Sequence, residues 1–553
     1  MFRHARMLMM LCAIALSVCV SAWGTPIRLI TVIVVDGLPT ELLLRHADRL
    51  NPEGLGRLLR SGTVYTGADI PWLTTFTAVG HAGLFTGALP DQHGIIGNEW
   101  LDPSTGEQVY CVEDPAHQIL DFPGKAHDGV SPANLLSTTL GDEMIRTWGH
   151  QARVFGVSTK DRGAILPAGK RGKAFWYHKS AGTMVTSTYY YEKSPDWLIS
   201  WRNRFAVSQY RNAVWQLLRA PEAYDRLAED DRKVENSPLG ATFPHDLSRL
   251  DDAQSNAELP WTPFIDEITL DLALTILEAE SLGKDDIPDM LSISFSSMDY
   301  IHHRYGPDSL ESEDTLYRVD ELIVRLLSAL EQQIGLDRVM IALSSDHGFG
   351  RAPEQIQTEG LPARRITKPE LNACMNDLAG QLSSISGIAV TASFSSPFIY
   401  LRRQDGDGLD ATVRAQAVRI ANSWSWTQWA ASIDDIRSGN IPRTPFHERA
   451  LTAHAAGRGG DVLVIAKPWH IVETAETAWS ATHGSPYAYD TRVPMVFAGP
   501  GIAAGWVSRP VSPLDIAATL AACLNITPPP ACSGTPLPEI VDGLTDTETR
   551  VRR

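Results

Sequence analysis

The chain has 553 residues, 44% of them hydrophobic and 20% charged, with a formal net charge of −17. These proportions exclude a disordered chain, and the length calls for several domains or one large α/β domain with insertions. An acidic chain does not draw nucleic acid or an anionic membrane through its overall field, so an anionic substrate would need a local positive site such as bound metal.

The chain opens with basic MFRHAR, apolar MLMMLCAIALSVCV and small-residue SAWG. That order is the pattern of a secretory signal peptide over residues 1–24, with cleavage after Ala22 or Gly24. The apolar run is short for a membrane span, and no other run of 18 or more apolar residues follows. The expectation is an exported protein without a stable membrane anchor, periplasmic first and secreted as the runner-up. Cys12 and Cys19 would leave with the signal. Cys111, Cys374, Cys523 and Cys532 remain, an even number that allows three pairings in an oxidising compartment. Cys523 and Cys532 flank LNITPPPA, a turn that a disulfide could close; the spacings do not resemble a zinc ribbon, and the four read as structural or free thiols.

Residues 28–38, RLITVIVVDGL, form a β-branched run ending in Asp-Gly, which predicts a strand buried on both faces of a parallel sheet. PTELLLRHADRLNPEGLGRLLRSG then has helical spacing and ends in Ser-Gly. The alternation continues with LGDEMIRTWG as helix, ARVFGVS as strand, PFIDEITLDLALTILEAESLG as helix and PDMLSISFSSMD as strand. TLYRVDELIVRLLSALEQQIG, RVMIALSSDHG, RVPMVFAGPG and SPLDIAATLAACL extend it. Such alternation predicts a doubly wound, mostly parallel α/β sheet flanked by helices, in one catalytic domain over residues 25–553. Residues 164–260, with the hairpin-like AFWYHKSAGTMVTSTYYY, and residues 365–455 break the pattern and read as insertions that cap the sheet. Trp176, Tyr177, Tyr189, Tyr190 and Trp197 of the first insertion read as core packing or as a wall of the site.

Ligands of open α/β sheets bind beyond the carboxyl ends of the strands. Three strands end in Asp there: VIVVDG in Asp36, SISFSSMDYIHHRYG in Asp299 with His303 four residues on, and ALSSDHG in Asp346 and His347. His483 stands in ATHGSPYAYD before another strand. Singly, a strand-end Asp reads as a helix cap and a lone His as a structural residue. Together they are an oxygen and nitrogen ligand set that suits two zinc ions. Two ions about 3.5–4 Å apart clamp the attacking and leaving oxygens of an in-line displacement. The glycine- and threonine-rich TTFTAVGHAGLFTG then gains a role. Thr77 begins an apparent helix, where backbone N–H groups favour an anion, and Thr serves as a nucleophile once activated.

VVDG, TFTAVGHAGLFTG, HGIIGN, the DxxxHxxG motif from Asp299 to Gly306, SDHG and HGSP together resemble the alkaline phosphatase superfamily. Their order and spacing are most similar to the phosphate-irrepressible periplasmic alkaline phosphatases, which are related to nucleotide pyrophosphatase/phosphodiesterases. The resemblance runs from about residue 28 to 525. It implies one zinc on Asp299, His303 and His483, and a second on Asp36, Asp346 and His347 with Thr77. It implies a phosphothreonine intermediate at Thr77, and small-molecule phosphate monoesters as substrates rather than nucleic acid. Asn98, Lys160 and Arg162 match the residues that in this branch contact phosphate oxygens. A monoester dianion needs that added positive charge, and diesterases of the superfamily lack the Lys/Arg pair. His302 falls outside the ligand spacing. His81 and His93 read as neighbours of the site, and Gly80, Gly83 and Gly87 as permitting close helix packing. No counterpart of a third, magnesium site is visible. A phosphodiesterase or nucleotide pyrophosphatase on the same metals is the alternative. Nothing in the sequence marks an oligomer interface, and a monomer is favoured.

Overall fold

The computed structural model describes residues 27–543 except 123–128, 206, 226–234, 236, 404–408 and 475–478. The expected signal segment, residues 1–24, lies outside the described residues. The central sheet is built in chain order from β1 (Leu29–Val35), β2 (Thr63–Tyr65), β3 (Val154–Ser158), β4 (Lys173–His178), β5 (Thr183–Val185), β6 (Asp289–Phe295) and β7 (Val339–Ser344). A separate four-stranded sheet follows, β8 (Val390–Ser395), β9 (Phe398–Arg403), β10 (Thr427–Ser432) and β11 (Val462–Ala466). The chain then returns to the central sheet with β12 (Met495–Ala498) and β13 (Gly505–Val507). The central order is β13-β2-β12-β7-β1-β6-β3-β4-β5.

Strands β7, β1, β6, β3 and β4 run parallel. β12 pairs antiparallel with β7 and β2, and β5 pairs antiparallel with β4, which makes the sheet mostly parallel, as the alternation predicted. Every residue of β1, β6 and β7 is buried. In β1 the pleat divides the apolar residues between two cores. Leu29, Ile33 and Val35 face helices α4 (Phe264–Ala279) and α6 (Leu310–Gln333), among Ile268, Leu272 and Leu326. Ile30, Val32 and Val34 face α1 (Thr77–Thr86), α2 (Leu140–Trp148) and α9 (Asp515–Cys523), among Phe85, Met144 and Leu520. Each such side chain contributes about 1.5–3 kcal/mol by leaving water. Cover on both faces is what a strand with no polar alternation requires.

One expectation changes. The helical pattern over 39–62 is interrupted, giving helices at Thr40–Arg45 and Leu55–Ser61. Pro52 and Gly54 weaken its middle, and the distant Asp320 carboxylate accepts the Asn51 and Leu55 backbone N–H groups at 2.5 and 2.7 Å. Those groups therefore need no helical partner. The cysteines Cys111, Cys374, Cys523 and Cys532 are all free thiols in this structure. The hairpin within residues 164–260 adds β4 and β5 to one end of the central sheet. Trp176, Tyr177 and Tyr190 are buried there, and Trp197 packs on Phe175 while donating to Glu280. The 365–455 segment carries β8, β9 and β10 with the helices α7 (Lys368–Ser386) and α8 (Ala411–Ser423) around a core of their own.

One helix start is held from outside its own segment. Helix α5 (Ser297–Tyr305) follows β6 directly, and Asp266 of α4 accepts from Ser296 N at 2.9 Å, Ser297 N at 3.2 Å and Ser297 Oγ at 2.5 Å. Asp266 thus acts as a cap supplied by another helix. Asp266→Ala is expected to cost about 1–3 kcal/mol, because it strands these donors in a buried setting. A lowered thermal midpoint in calorimetry, with Asp266→Asn between the two, checks it.

Candidate metal centre and active site

The register of the four parallel strands β7, β1, β6 and β3 brings their carboxyl ends level. Each end then delivers one part of a single site. Asp346 and His347 follow β7, Asp36 follows β1, Asp299 and His303 stand on α5 after β6, and Lys160 follows β3. His483 arrives on the loop before β12. Thr77 is the first residue of α1, with Phe76 in extended backbone ahead of it.

Two groups of three ligand-type side chains form. Asp299, His303 and His483 make one, and Asp36, Asp346 and His347 the other, with ligand atoms within 4.8 Å in each. In the first, Asp299 Oδ1 lies 3.2 Å from His483 Nε2 and 3.6 Å from His303 Nε2. In the second, His347 Nε2 lies 3.5 Å from both Asp36 Oδ1 and Asp346 Oδ2. The groups adjoin, since His347 Nε2 is 3.8 Å from Asp299 Oδ1.

The three imidazoles are held alike. Nδ1 of His303 donates to the Ala481 carbonyl at 3.1 Å, Nδ1 of His347 to Gly348 at 2.9 Å, and Nδ1 of His483 to Thr75 at 2.7 Å. A carbonyl only accepts, so each proton sits on Nδ1 and each Nε2 lone pair faces inward, the arrangement of a metal-ligating histidine. Burial keeps the rings neutral, pushing His303 and His483 down to about 4 and lowering His347.

The carboxylates carry the opposite problem. Both oxygens of Asp36, Oδ1 of Asp299 and Oδ2 of Asp346 are buried and accept no well-aligned hydrogen bond, although Lys160 Nζ and His81 Nδ1 stand beside Asp36 Oδ2 and Asp346 Oδ2. Burial, reinforced by the neighbouring Asp346, raises Asp36 well above the usual carboxylate range. Burial also raises Asp299, but Lys160, His303 and His483 outweigh it and hold this carboxyl well below that range. Unsatisfied buried carboxylate oxygens are costly unless a cation completes them. With the inward Nε2 atoms, they fit two divalent ions.

Lys160 is the cation the chain itself supplies. Its Nζ lies 2.8 Å from Asp36 Oδ2, 2.5 Å from Asp299 Oδ2 and 3.3 Å from Thr77 Oγ1. Burial alone would favour the neutral amine, but Asp299 and Asp36 prevail and hold the ammonium charged, its pKa raised above the ordinary lysine value. Thr77 Oγ1 also lies 3.5 Å from His347 Nε2. Other hydroxyls of the threonine-rich stretch are spent on backbone: Thr74 on Ile96 O, Thr75 on Ser485 O and Thr86 on Ala82 O. Asn98 accepts from Ala78 N at 2.9 Å through Oδ1, which places its carboxamide at that helix start. Arg162 lines a cavity of about 420 Å³ beside Lys160. Its Nη1 donates to Tyr110 Oη at 3.1 Å, and its Nε is buried without a partner.

The remaining histidines sort themselves by contact. His81 lies with Nδ1 2.9 Å from Thr77 O and 3.2 Å from Asp346 Oδ2, and Nε2 2.9 Å from Ser294 Oγ, so it braces helix α1 against Asp346. His93 takes the Ile95 N–H and His302 contacts Ser312 Oγ; both are fully buried and outside the two groups. Gly80 is indispensable to the close approach of α1, since a Cβ there would lie 2.2 Å from Asp346 O. Gly83 meets Trp72 in the same way, and Gly87 ends α1 at φ +64°. A third group, His46, Asp225 and Glu313, also has ligand spacing. Arg49 already supplies its positive charge, 2.6 Å from Asp225 and 3.8 Å from Glu313. Residue-level reading overlooked Asp266, which caps the helix carrying Asp299, and Tyr300, whose ring lies 5.2 Å from Lys160 Nζ. Tyr300 follows Asp299 directly, the one signal available for it.

Comparison with known proteins places this geometry among relatives. The family described as "Type I phosphodiesterase / nucleotide pyrophosphatase" matches residues 30–486. Alkaline phosphatase PafA of Elizabethkingia meningoseptica is 30% identical, covering 93% of this chain and 94% of its own. Alkaline phosphatase PhoV of Synechococcus elongatus is 29% identical, covering 92% of both. The crystal structure of wild-type PafA superposes with a TM-score of 0.86 at 29% identity, over 93% of this chain and 99% of that one.

Zn2+ added to chelator-treated protein is expected to raise the thermal midpoint by several degrees, because it relieves the mutual repulsion of buried carboxylates. Asp346→Ala is expected to weaken that shift. Differential scanning fluorimetry with and without Zn2+ checks both without reference to turnover.

Proposed function

The chain belongs to the type I phosphodiesterase / nucleotide pyrophosphatase family, and from that premise we propose that it is a metal-dependent phosphomonoesterase of the alkaline phosphatase kind. In this reading Thr77 is the nucleophile, forming a phosphothreonine that water then hydrolyses. Asp299, His303 and His483 hold one zinc ion, and Asp36, Asp346 and His347 the other. The observation that carries the reading is the Lys160 ammonium 3.3 Å from Thr77 Oγ1. A charged donor at the nucleophile supplies what a phosphate dianion needs and a diester monoanion needs less.

The two ions, when bound, would lower the pKa of the attacking hydroxyl and stabilise the leaving oxygen. The chain's own groups do the rest. Backbone carbonyls keep the protons on Nδ1 of His303, His347 and His483, so their Nε2 atoms stay available at neutral pH. Helix α1 presents its N-terminus, and the Asn98 NH2 stands beside it, both suited to non-bridging oxygens. Lys160 and Arg162 meet the same oxygens from the cavity side. The similarity to alkaline phosphatases PafA and PhoV supports the monoester assignment.

Export of the chain through its first 24 residues belongs to the same reading. No helix of the described residues is long and apolar enough to cross a membrane. Residues 164–260 and 365–455 would act as caps over the sheet. A diesterase is the second reading, favoured by the apolar wall of the cavity, where Ile119, Val130 and Trp176 could take a second ester group.

Thr77→Ala is expected to lower kcat/KM on p-nitrophenyl phosphate by at least about 10³-fold while leaving the zinc content unchanged. Steady-state rates and metal analysis of the same sample check it, and near-normal turnover refutes the nucleophile. Lys160→Ala is expected to cost about 10²-fold on p-nitrophenyl phosphate and less on bis-p-nitrophenyl phosphate. A wild-type preference for the diester would move the protein to the second reading.

A further inference from the structure

The cavity that begins at Lys160 carries cationic side chains beyond the one nearest Thr77. It is lined by Lys160, Arg162 and Lys179, with Asp161 the only carboxylate among its lining residues. Asp161 is already engaged, accepting from Tyr110 Oη at 2.5 Å and from Arg162 N at 2.7 Å. Lys160 is held between Asp36 and Asp299, so in a chain of net charge −17 Arg162 and Lys179 are the cations of this wall that remain to attract an anion.

Lys179 is the cation that the phosphoryl chemistry leaves unused. It stands at the exposed tip of the hairpin between β4 and β5. Its Nζ lies 5.3 Å from the centre of the Tyr300 ring and 5.9 Å from that of Trp261. No carboxylate among the described residues forms an ion pair with it; the nearby Glu258 is taken by Arg304, which stacks on the same Trp261. Lys160 Nζ lies 5.2 Å from the Tyr300 centre. Both ammonium groups therefore lie against one ring, and they are no further apart than these two distances laid end to end. That span suits a small planar or sugar-sized fragment with an anion at each end. Trp176, Tyr300 and Pro260 offer flat surfaces along it.

We propose that Lys179 is a specificity-determining residue, binding a second anionic group on the leaving group. The preferred substrates are then phosphate monoesters whose alcohol or phenol carries a carboxylate or a further phosphate. This deepens the phosphomonoesterase reading and rests on it for which end of the cavity is the reacting one. Lys179 contacts neither Thr77 nor the ligand groups, so its effect falls on KM rather than on kcat.

The test compares phenyl phosphate, 3-carboxyphenyl phosphate and benzene-1,3-diyl bisphosphate with the metal-loaded wild-type enzyme and with Lys179→Gln, Lys179→Glu and Lys179→Arg. Lys179→Gln is expected to lower kcat/KM about 3- to 10-fold on the two substrates with a second anion, through KM, and to leave phenyl phosphate within about twofold. Lys179→Glu is expected to exceed that loss, and Lys179→Arg to retain the wild-type ranking. The two anionic substrates separate a carboxylate from a phosphate preference. Equal losses on all three substrates, or no loss with Lys179→Glu, overturn the proposal. A wild-type enzyme inactive on every monoester refutes the phosphomonoesterase reading instead. The proposal is then decided by tryptophan fluorescence titration with 3-carboxyphenyl phosphate, where an unchanged Kd for Lys179→Glu overturns it.

Discussion

Three buried carboxylates, Asp36, Asp299 and Asp346, converge on a space a few ångströms across, and the fold is organised around compensating them. Like charges at such separation in a dry interior cannot all stay ionised without a cation. The inward Nε2 atoms, the Lys160 ammonium and the orphaned oxygens are all answers to that electrostatic demand. The level ends of β7, β1, β6 and β3 create it, because in-register parallel strands deliver their terminal residues to one edge of the sheet. The two hydrophobic cores on either face of β1 fix that register, so apolar packing sets the geometry and the carboxylates exploit it.

Much of this was legible in the sequence, for identifiable reasons. Asp36, Asp299 and Asp346 each end an uninterrupted apolar run, and strands buried on both faces announce themselves by the absence of alternation. His303 could be paired with Asp299 because the two are one helical turn apart. His483 stands far from the others in sequence and was recognisable by its place before a strand and by the motif HGSP. Lys160 reads locally as part of a solvated basic loop; only the placement of β3 beside β6 buries it between two aspartates. The break in the 39–62 helical pattern depends on Asp320, some 270 residues away, and no local rule contains that contact. Lys179 is a hairpin-tip lysine by every local measure, and its position beside Tyr300 and Trp261 comes from tertiary packing alone.

The family joins diesterases and monoesterases on one scaffold, and the structure suggests why the scaffold is permissive. The ligand groups are fixed by strand ends, whereas the cavity beside them is walled by the β4–β5 hairpin, by Tyr110 and by Pro260, which stand on peripheral segments. Charge in that wall can change without disturbing the register that positions the aspartates. Lys160 is the exception, since it belongs to the wall and to the centre at once. It joins the charge of the cavity wall to the balance of charge among the carboxylates.

Gly80 has a mechanical consequence. With no side chain at this position, the helix that begins at Thr77 rests directly on the backbone of Asp346, and His81 ties the same helix to the Asp346 carboxylate. No rotamer intervenes that could absorb a displacement. Thr77 and Asp346 are therefore mounted on one closely packed unit. The Thr77 hydroxyl keeps its distance from the charge centre not through a strong bond between them but through the stiffness of the piece on which both are mounted.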